Sequence, residues 1–534
     1  MSRKKPIVRT DVVRTYIDIH SWVGIFSGLA LFIAFYAGAI TMFETPLQRW
    51  ATPPSALAPP PTLERTPVLI DKVLAAHPEA RKSYRGHLVT GPEQPARVSW
   101  TTGTRRAPGP TYYASLAADG ALQVSTQEPS PVAELIDVLH QQVGLPFDRE
   151  IAMPIMGVIA LLYAVAIISG IIALLPSLVK DLFALRLGKN VKRMWLDLHN
   201  LLGVFSLPFH IVMALTAVVF AFHDQFYDAQ GAVQKIGAAP PAKREAHGEP
   251  PSGAVLPPAE LARRIEAQLP GFKLSMITYE NNPKEGVHAR IQGADPRYGT
   301  RAPTYTIGEV DPRDGRITEA DYLPGLQNGW FATIVGFFAL HFGSYGGAPV
   351  RWAYFFLSLA GAFLFYSGNL LWIESRRKKA RNAGVIEQSR SNRVLGALTV
   401  GVSLGCIAGI STTIAAAKWL PAGLSDPAAW HSWIYYGLFL AALAWAFARG
   451  SARAGVELLW ACAVATTLIP ATSVIVALSG GWDYGPGAWI VDATAAVGAV
   501  GFGLMARAAR RRALNGPKDS VWSSPSTKEA PVTA

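Results

Sequence analysis

Long apolar runs, each near the 20 residues needed to cross a bilayer, alternate with polar connections along this chain. They fall at about 18–43, 151–176, 195–222, 348–374, 395–417, 429–448, 455–478 and 486–506. The pattern predicts about eight transmembrane helices. Two long polar segments, at about 44–150 and 223–328, interrupt the first half. Each opens on a Pro- and Ala-rich stretch and then offers one amphipathic helix, over 67–76 in the first and 258–269 in the second. Alternating apolar and polar positions follow at 96–101, 111–115, 286–291 and 304–310. Each segment closes with an Asp-Gly hairpin signal, Ala118-Asp119-Gly120 and Arg313-Asp314-Gly315. One helix against a small antiparallel sheet is the expected unit, and it occurs twice.

Composition strengthens the membrane reading. Half of the 534 residues are hydrophobic, 16% are charged and the mean hydropathy is +0.23; a soluble domain carries about 25% charge. A net charge of +12 would suit nucleic acid, but its placement argues otherwise. The basic residues cluster at every second connection: Arg3, Lys4, Lys5, Arg9 and Arg14 before the first span, then Lys180, Arg186, Lys189, Lys192 and Arg193. A third group runs from Arg376 to Arg393, Arg449 and Arg453 form a fourth, and Arg507 to Arg512 follow the last span. The positive-inside rule therefore puts both termini in the cytoplasm, and no nucleic-acid partner is expected. The first apolar run is too long for a signal-peptide core and reads as an uncleaved anchor. The two cysteines, Cys406 and Cys462, both lie in apolar runs. That excludes a disulfide framework, a CxxC pair, a cysteine-based zinc or iron–sulfur site and covalent haem attachment.

The membrane part repeats. Span one carries the frame Asp18-x-His20-x-x-x-Gly24, and span three carries Asp197-x-His199-x-x-x-Gly203. Spans two and four are preceded by single histidines, His140 and His341, and later reach Ser169-Gly170 and Ser367-Gly368. His20 and His199 thus occupy equivalent inner positions, and His140 and His341 equivalent outer ones. Ionisable residues at membrane depth are uncommon and usually functional. Two histidine pairs at two depths suggest two stacked sites, and neutral imidazole is the usual axial ligand of b-type haem. On a straight helix His210 follows His199 by about 16 Å and about 1,100°, nearly the same side. It could replace one of the four, or pack; its repeat counterpart is Leu31. Gly24, Gly203, Gly170 and Gly368 would admit a flat macrocycle or a neighbouring helix. Arg351 and Arg193 could pair with haem propionates or serve as interfacial anchors. His77, His87, His247 and His288 are read as solvated.

This arrangement resembles the PepSY-associated transmembrane family. The segments RTYIDIHSWVGIFSGLALFIAFYAGAITMFE, LHNLLGVFSLPFHIVMALTAVVF and LHFGSYGGAPVRWAYFFLSLAGAFLFYSGNLLWIESR carry the likeness, over about residues 10–380. The resemblance implies an all-α polytopic membrane protein with two small α+β PepSY-like periplasmic domains in the bacterial inner membrane. The implied division is 1–43 (N-terminus and helix one), 44–150 (periplasmic domain one), 151–222 (helices two and three) and 223–347 (periplasmic domain two). Helix four follows at 348–374, then a basic cytoplasmic loop at 375–394, helices five to eight at 395–506 and a cytoplasmic tail at 507–534. The resemblance further implies a dihaem b-type ferric-siderophore reductase, an oxidoreductase that passes electrons outward and releases iron during uptake. The last four helices exceed the pattern of the family's short members.

No Gly-x-Gly-x-x-Gly or P-loop is present, and the cytoplasmic connections are too short for a flavin or nicotinamide domain. The electron donor is therefore expected to be a membrane quinol or a separate cytoplasmic reductase. A ferric chelate is the expected acceptor, and Arg105 and Arg106 could attract an anionic one. The alternatives are a metal or siderophore permease and a non-enzymatic envelope binding or assembly protein.

Overall fold

The computed structural model describes residues 10–103, 108–177, 191–237, 253–282, 286–384, 387–420, 424, 426–480, 487–517 and 519–523. Arg3, Lys4, Lys5, Arg9, Arg105, Arg106, Lys180, Arg186, Lys189 and His247 lie outside them. Helix α1 (Thr10–Thr41) is followed by the short α2 (Glu44–Ala51), then by α3 (Thr66–Ala76) of the first outer unit. Helix α4 (Val132–Gln141) carries His140, and α5 (Arg149–Leu174) is the second apolar rod. Next come α6 (Val191–Phe205), α7 (Leu207–Gly237) and α8 (Pro258–Gln268). Helix α9 (Gly329–Phe342) carries His341, and α10 (Gly347–Asn382), α11 (Arg390–Ala416), α12 (Pro427–Leu478) and α13 (Trp489–Asn515) complete the chain.

Six of these helices are long and apolar enough to cross a membrane, and the bent pair α6–α7 makes a seventh when counted as one span. At 1.5 Å per residue the 52 residues of α12 would run about 78 Å, more than twice a bilayer core of about 30 Å. Gly450 breaks it, at φ 72 and ψ 156, where only glycine is at ease. The sequence-predicted spans 429–448 and 455–478 lie on either side of that break.

Span three departs from the straight rod assumed above. The chain turns by 68° between α6 and α7, at Ser206 and just before Pro208. Proline has no N–H for the helix ladder, and its ring collides with the carbonyl four residues earlier. The rotation argument that placed His199 and His210 on one face therefore fails.

The two long polar segments, called outer by their expected side, supply eight antiparallel strands: β1 (Ser83–His87), β2 (Val98–Gly103), β3 (Pro108–Leu116), β4 (Leu122–Ser125), β5 (Lys273–Asn282), β6 (Gly286–Ala294), β7 (Thr306–Val310) and β8 (Ile317–Glu319). Both Asp-Gly turns form, joining β3 to β4 and β7 to β8, with Gly120 at φ 81 and Gly315 at φ 80. Each unit buries one helix stripe against its strands: Leu69, Ile70 and Val73 of α3 against Val98, Trp100, Ala114 and Leu116. In the second unit Leu261 and Ile265 of α8 meet Phe272, Ile277, Tyr279 and Ile291.

The two halves do not stand apart. The order β4-β3-β2-β1-β5-β6-β7-β8 is one continuous sheet, joined where the first strand of each unit pairs with the other, Ser83 opposite Glu280 and His87 opposite Met276. Tyr84 and Tyr279 stack across that seam, with ring centroids 4.7 Å apart. The union covers two edges that would otherwise expose unpaired backbone groups. It also buries His87, which is 6% exposed and bonded to Ser99 Oγ at 2.8 Å, against the solvated position expected for it.

Candidate functional site: two stacked histidine pairs

The four histidines of the repeat meet in two pairs. His20 of α1 and His199 of α6 have ring centroids 6.1 Å apart. His140 of α4 and His341 of α9 are 6.0 Å apart. His20 sits on α1, while His140 bonds Ala34 of that same helix. Fourteen residues at 1.5 Å each separate the two levels by about 20 Å.

Hydrogen bonds fix the tautomer of every ring. His20 Nδ1 donates to the Ala166 carbonyl at 2.8 Å, and His140 Nδ1 to the Ala34 carbonyl at 2.8 Å. A carbonyl can only accept, so both Nδ1 atoms carry the proton. His199 Nδ1 meets Ser367 Oγ at 3.0 Å, and that hydroxyl already donates to the Leu364 carbonyl. His341 Nδ1 meets Thr216 Oγ1 at 2.8 Å, and that hydroxyl already donates to the Val212 carbonyl. In both cases the hydroxyl proton is committed and the imidazole must again donate from Nδ1. Nε2 is left in all four rings as the lone-pair nitrogen, and among the described residues it has no hydrogen-bond partner. This is how a metal-binding histidine is held: one nitrogen oriented by a neighbour, the other basic and free.

Glycines make room for the rings. A Cβ on Gly170 would lie 2.9 Å from His20 Cε1, and one on Gly38 would lie 2.8 Å from His140 Nδ1. Gly368 lies beneath His199 at a looser 3.6 Å. Gly170 and Gly368, read from the sequence as room for a macrocycle or a neighbouring helix, lie beside imidazole rings, and Gly38 is a third such seat that the sequence reading did not single out. The repeat offers a signal for it: Gly38 follows His20 by the same interval that separates His199 from Ala217, beside Thr216. Gly24 faces no protein atom within 4 Å, and Gly203 touches only Leu364, at 3.8 Å.

His210 joins neither pair. It is 2% exposed, hydrogen-bonded through Nδ1 to the Tyr163 hydroxyl, and enclosed by Phe35, Phe209 and Phe365. The bend at Ser206 carries it into this aromatic layer. Arg193 forms an ion pair with the buried Asp197 at 3.1 Å, while Arg351 lines a cavity of about 220 Å³ beside the outer pair. Glu44 and Asp137 line the same cavity. Burial, with Asp137 and Glu134 close by, pushes the Glu44 carboxyl up to about 7. Pro303 and Thr304, from the loop between β6 and β7, also line this cavity, so a loop of the sheet borders the space beside the His140–His341 pair.

Fold and site together define a polytopic membrane protein with one antiparallel sheet and two levels of paired imidazoles between its helices. The chain belongs to the family described as the PepSY-associated TM region, which matches residues 17–375. That stretch contains both histidine pairs and the whole sheet; α11, α12 and α13 lie beyond it. No curated protein matches the chain.

Proposed function

We propose that this protein is a dihaem b-type reductase that carries electrons across the bacterial inner membrane to a ferric siderophore or other ferric chelate. His20 and His199 would hold the inner haem, and His140 and His341 the outer one. The observation that carries the reading is the protonation pattern: four rings whose Nδ1 must donate, in pairs about 6 Å apart. An ion held by Nε2 of both rings of a pair at about 2 Å each would space their centroids by about that much. Among the described residues no three His, Cys, Asp or Glu side chains converge on a metal position. A bare ion would thus find two protein donors at each level, whereas a tetrapyrrole brings the remaining four. Bound in this way, haem supplies one-electron transfer without an open coordination position.

The protein's own part is to hold the rings, set their tautomer and bring the outer sheet over the outer level, where a chelate would receive the electron. Reduction weakens the grip of hard oxygen ligands on iron and frees it. Eight spans, with both termini in the cytoplasm and the sheet in the periplasm, suit the positive connections and the break at Gly450. The donor is a membrane quinol or a separate cytoplasmic reductase.

A dithionite-reduced minus oxidised spectrum of purified protein, with haem counted per chain, tests the proposal. About two b haems are expected, and His199→Ala should remove one. A haem-free protein from cells supplied with haem precursor would refute the reading and leave a permease or an envelope binding protein.

A further inference from the structure

Helices α11 to α13 contribute no histidine to either pair, yet they are fastened to the part of the chain that carries the outer one. The fastening centres on Trp50 of α2, which is fully buried at 0% exposure. Its indole N–H donates to Asp492 Oδ1 of α13 at 2.9 Å and lies 3.1 Å from Ser473 Oγ of α12. Ser473 Oγ in turn donates to Asp492 Oδ1 at 2.8 Å. Lys418, just past the end of α11 and 5% exposed, donates to Ser473 Oγ at 2.6 Å. Its ammonium also lies 3.5 Å from the centre of the Trp50 ring. One indole is thereby held by residues of all three C-terminal helix segments, in a place where an unpaired lysine or aspartate would be costly.

Trp50 leads to the outer pair. Helix α2 packs on α4, which carries His140, and α4 touches α11 and α12 as well. Leu47, Trp50 and Ala51 of α2, Ile136 and Leu139 of α4, and Ile410, Ile414 and Tyr435 belong to one continuous buried core. Beyond α4 the chain turns at Val143, whose φ of 50 is unusual for a β-branched residue, and at Gly144, against which Ile33 and the Tyr435 hydroxyl pack. Helix α4 is thus gripped between span one, through the seat at Gly38, and the C-terminal helices. The inner pair is reached by a different route: its rings lie on α1 and α6 and are held by α5 and α10, and α10 meets the C-terminal helices through Asn369–Thr399 at 3.2 Å and Glu374–Arg512 at 3.2 Å rather than through Trp50.

We propose that α11 to α13 act as a brace that positions the outer histidine pair, and that Trp50, held by Asp492, Ser473 and Lys418, is the positioning residue through which the brace acts. The redox half of the test rests on the haem reading; the backbone half does not. Full-length protein in lipid nanodiscs is compared with Trp50→Phe, which keeps a ring and loses the N–H, and with Ser473→Ala, which removes the hydroxyl shared by Trp50, Lys418 and Asp492. Hydrogen exchange read by mass spectrometry should rise about tenfold or more in 44–51 and 132–141 for Trp50→Phe, as expected for losing both hydrogen bonds of the indole. Ser473→Ala should raise exchange in the same two segments, while 191–205 and 347–382 keep wild-type rates in both variants. In a redox titration one of two haem midpoints should move in both variants and the other stay fixed. Unchanged exchange in 132–141, or an equal rise in 191–205 and 347–382, overturns the brace. A rise confined to 44–51 and 132–141 without any haem shift upholds the brace and counts against the outer haem.

Discussion

Replacing Gly38 or Gly170 with alanine tests the seats of the two pairs one at a time. In Gly38→Ala the new methyl would lie 2.8 Å from His140 Nδ1 and 2.9 Å from Cε1, inside any allowed contact. The ring has to leave, and its 2.8 Å bond to the Ala34 carbonyl breaks with it. Overpacking costs about 1–3 kcal/mol and the lost bond about 1 kcal/mol. Alanine returns about 1 kcal/mol of helix propensity, leaving a net loss of about 1–3 kcal/mol. Disturbing the group that orients a metal-binding histidine typically lowers affinity about 10–100-fold, enough to empty one site at ordinary haem supply. Gly170→Ala acts in the same way on His20, with contacts at 2.9 and 3.0 Å. Gly501→Ala is the control, since its methyl meets nothing within 4 Å. The assay is haem per chain, with low-temperature electron paramagnetic resonance to resolve the two low-spin signals. Each seat variant should lose a different signal and the control neither. Two intact, unshifted signals in Gly38→Ala would refute the reasoning about the outer pair.

Under the dihaem proposal His210→Phe should leave the haem content unchanged, because the ring it replaces lies in the aromatic layer and in neither pair; loss of one haem on a spectrum of the variant would make His210 a ligand after all. His87 should make the outer sheet acid-sensitive: burial, with Arg85 and Arg97 nearby, pulls its pKa from 6.5 down to about 3. The stability it contributes is present above about pH 6.5 and is lost as pH falls from there towards 3, by up to about 5 kcal/mol across that window. Melting of the whole protein at pH 7.5 and 4.5 should show this drop, and His87→Gln should flatten it. Glu44 carries the opposite sign. Its carboxyl, raised from 4.5 to about 7, favours the folded state below about pH 4.5, and that contribution is lost as pH rises through 7. Glu44→Gln should therefore raise the melting temperature at pH 8 more than at pH 5, and an equal shift at both would sink that assignment.

Much of this molecule was legible along the chain, because hydropathy, turn chemistry and repetition are local. Runs of about 20 apolar residues located the spans, and Asp119-Gly120 and Asp314-Gly315 located two hairpins. The doubled frame around His20 and His199, with His140 and His341 beside the next spans, named the four histidines that the fold brings together. Composition alone excluded the cysteine-based cofactors. What the chain concealed depends on residues far apart in sequence. That β1 would pair with β5, making one sheet of two units, follows from two exposed edges meeting, and no local pattern records it. The bend at Ser206 had a local cue in Pro208, but its consequence, removing His210 from the line of His199, exists only once α7 packs against Phe35 and Tyr163. The seats are of the same kind: Ala34 lies 106 residues from His140, and Ala166 lies 146 from His20. A carbonyl or a committed hydroxyl decides which imidazole nitrogen keeps its proton, and only tertiary packing could put one there. The C-terminal helices join the site through contacts distant in sequence, among them a buried indole held by a residue 442 positions away, and no local motif records them.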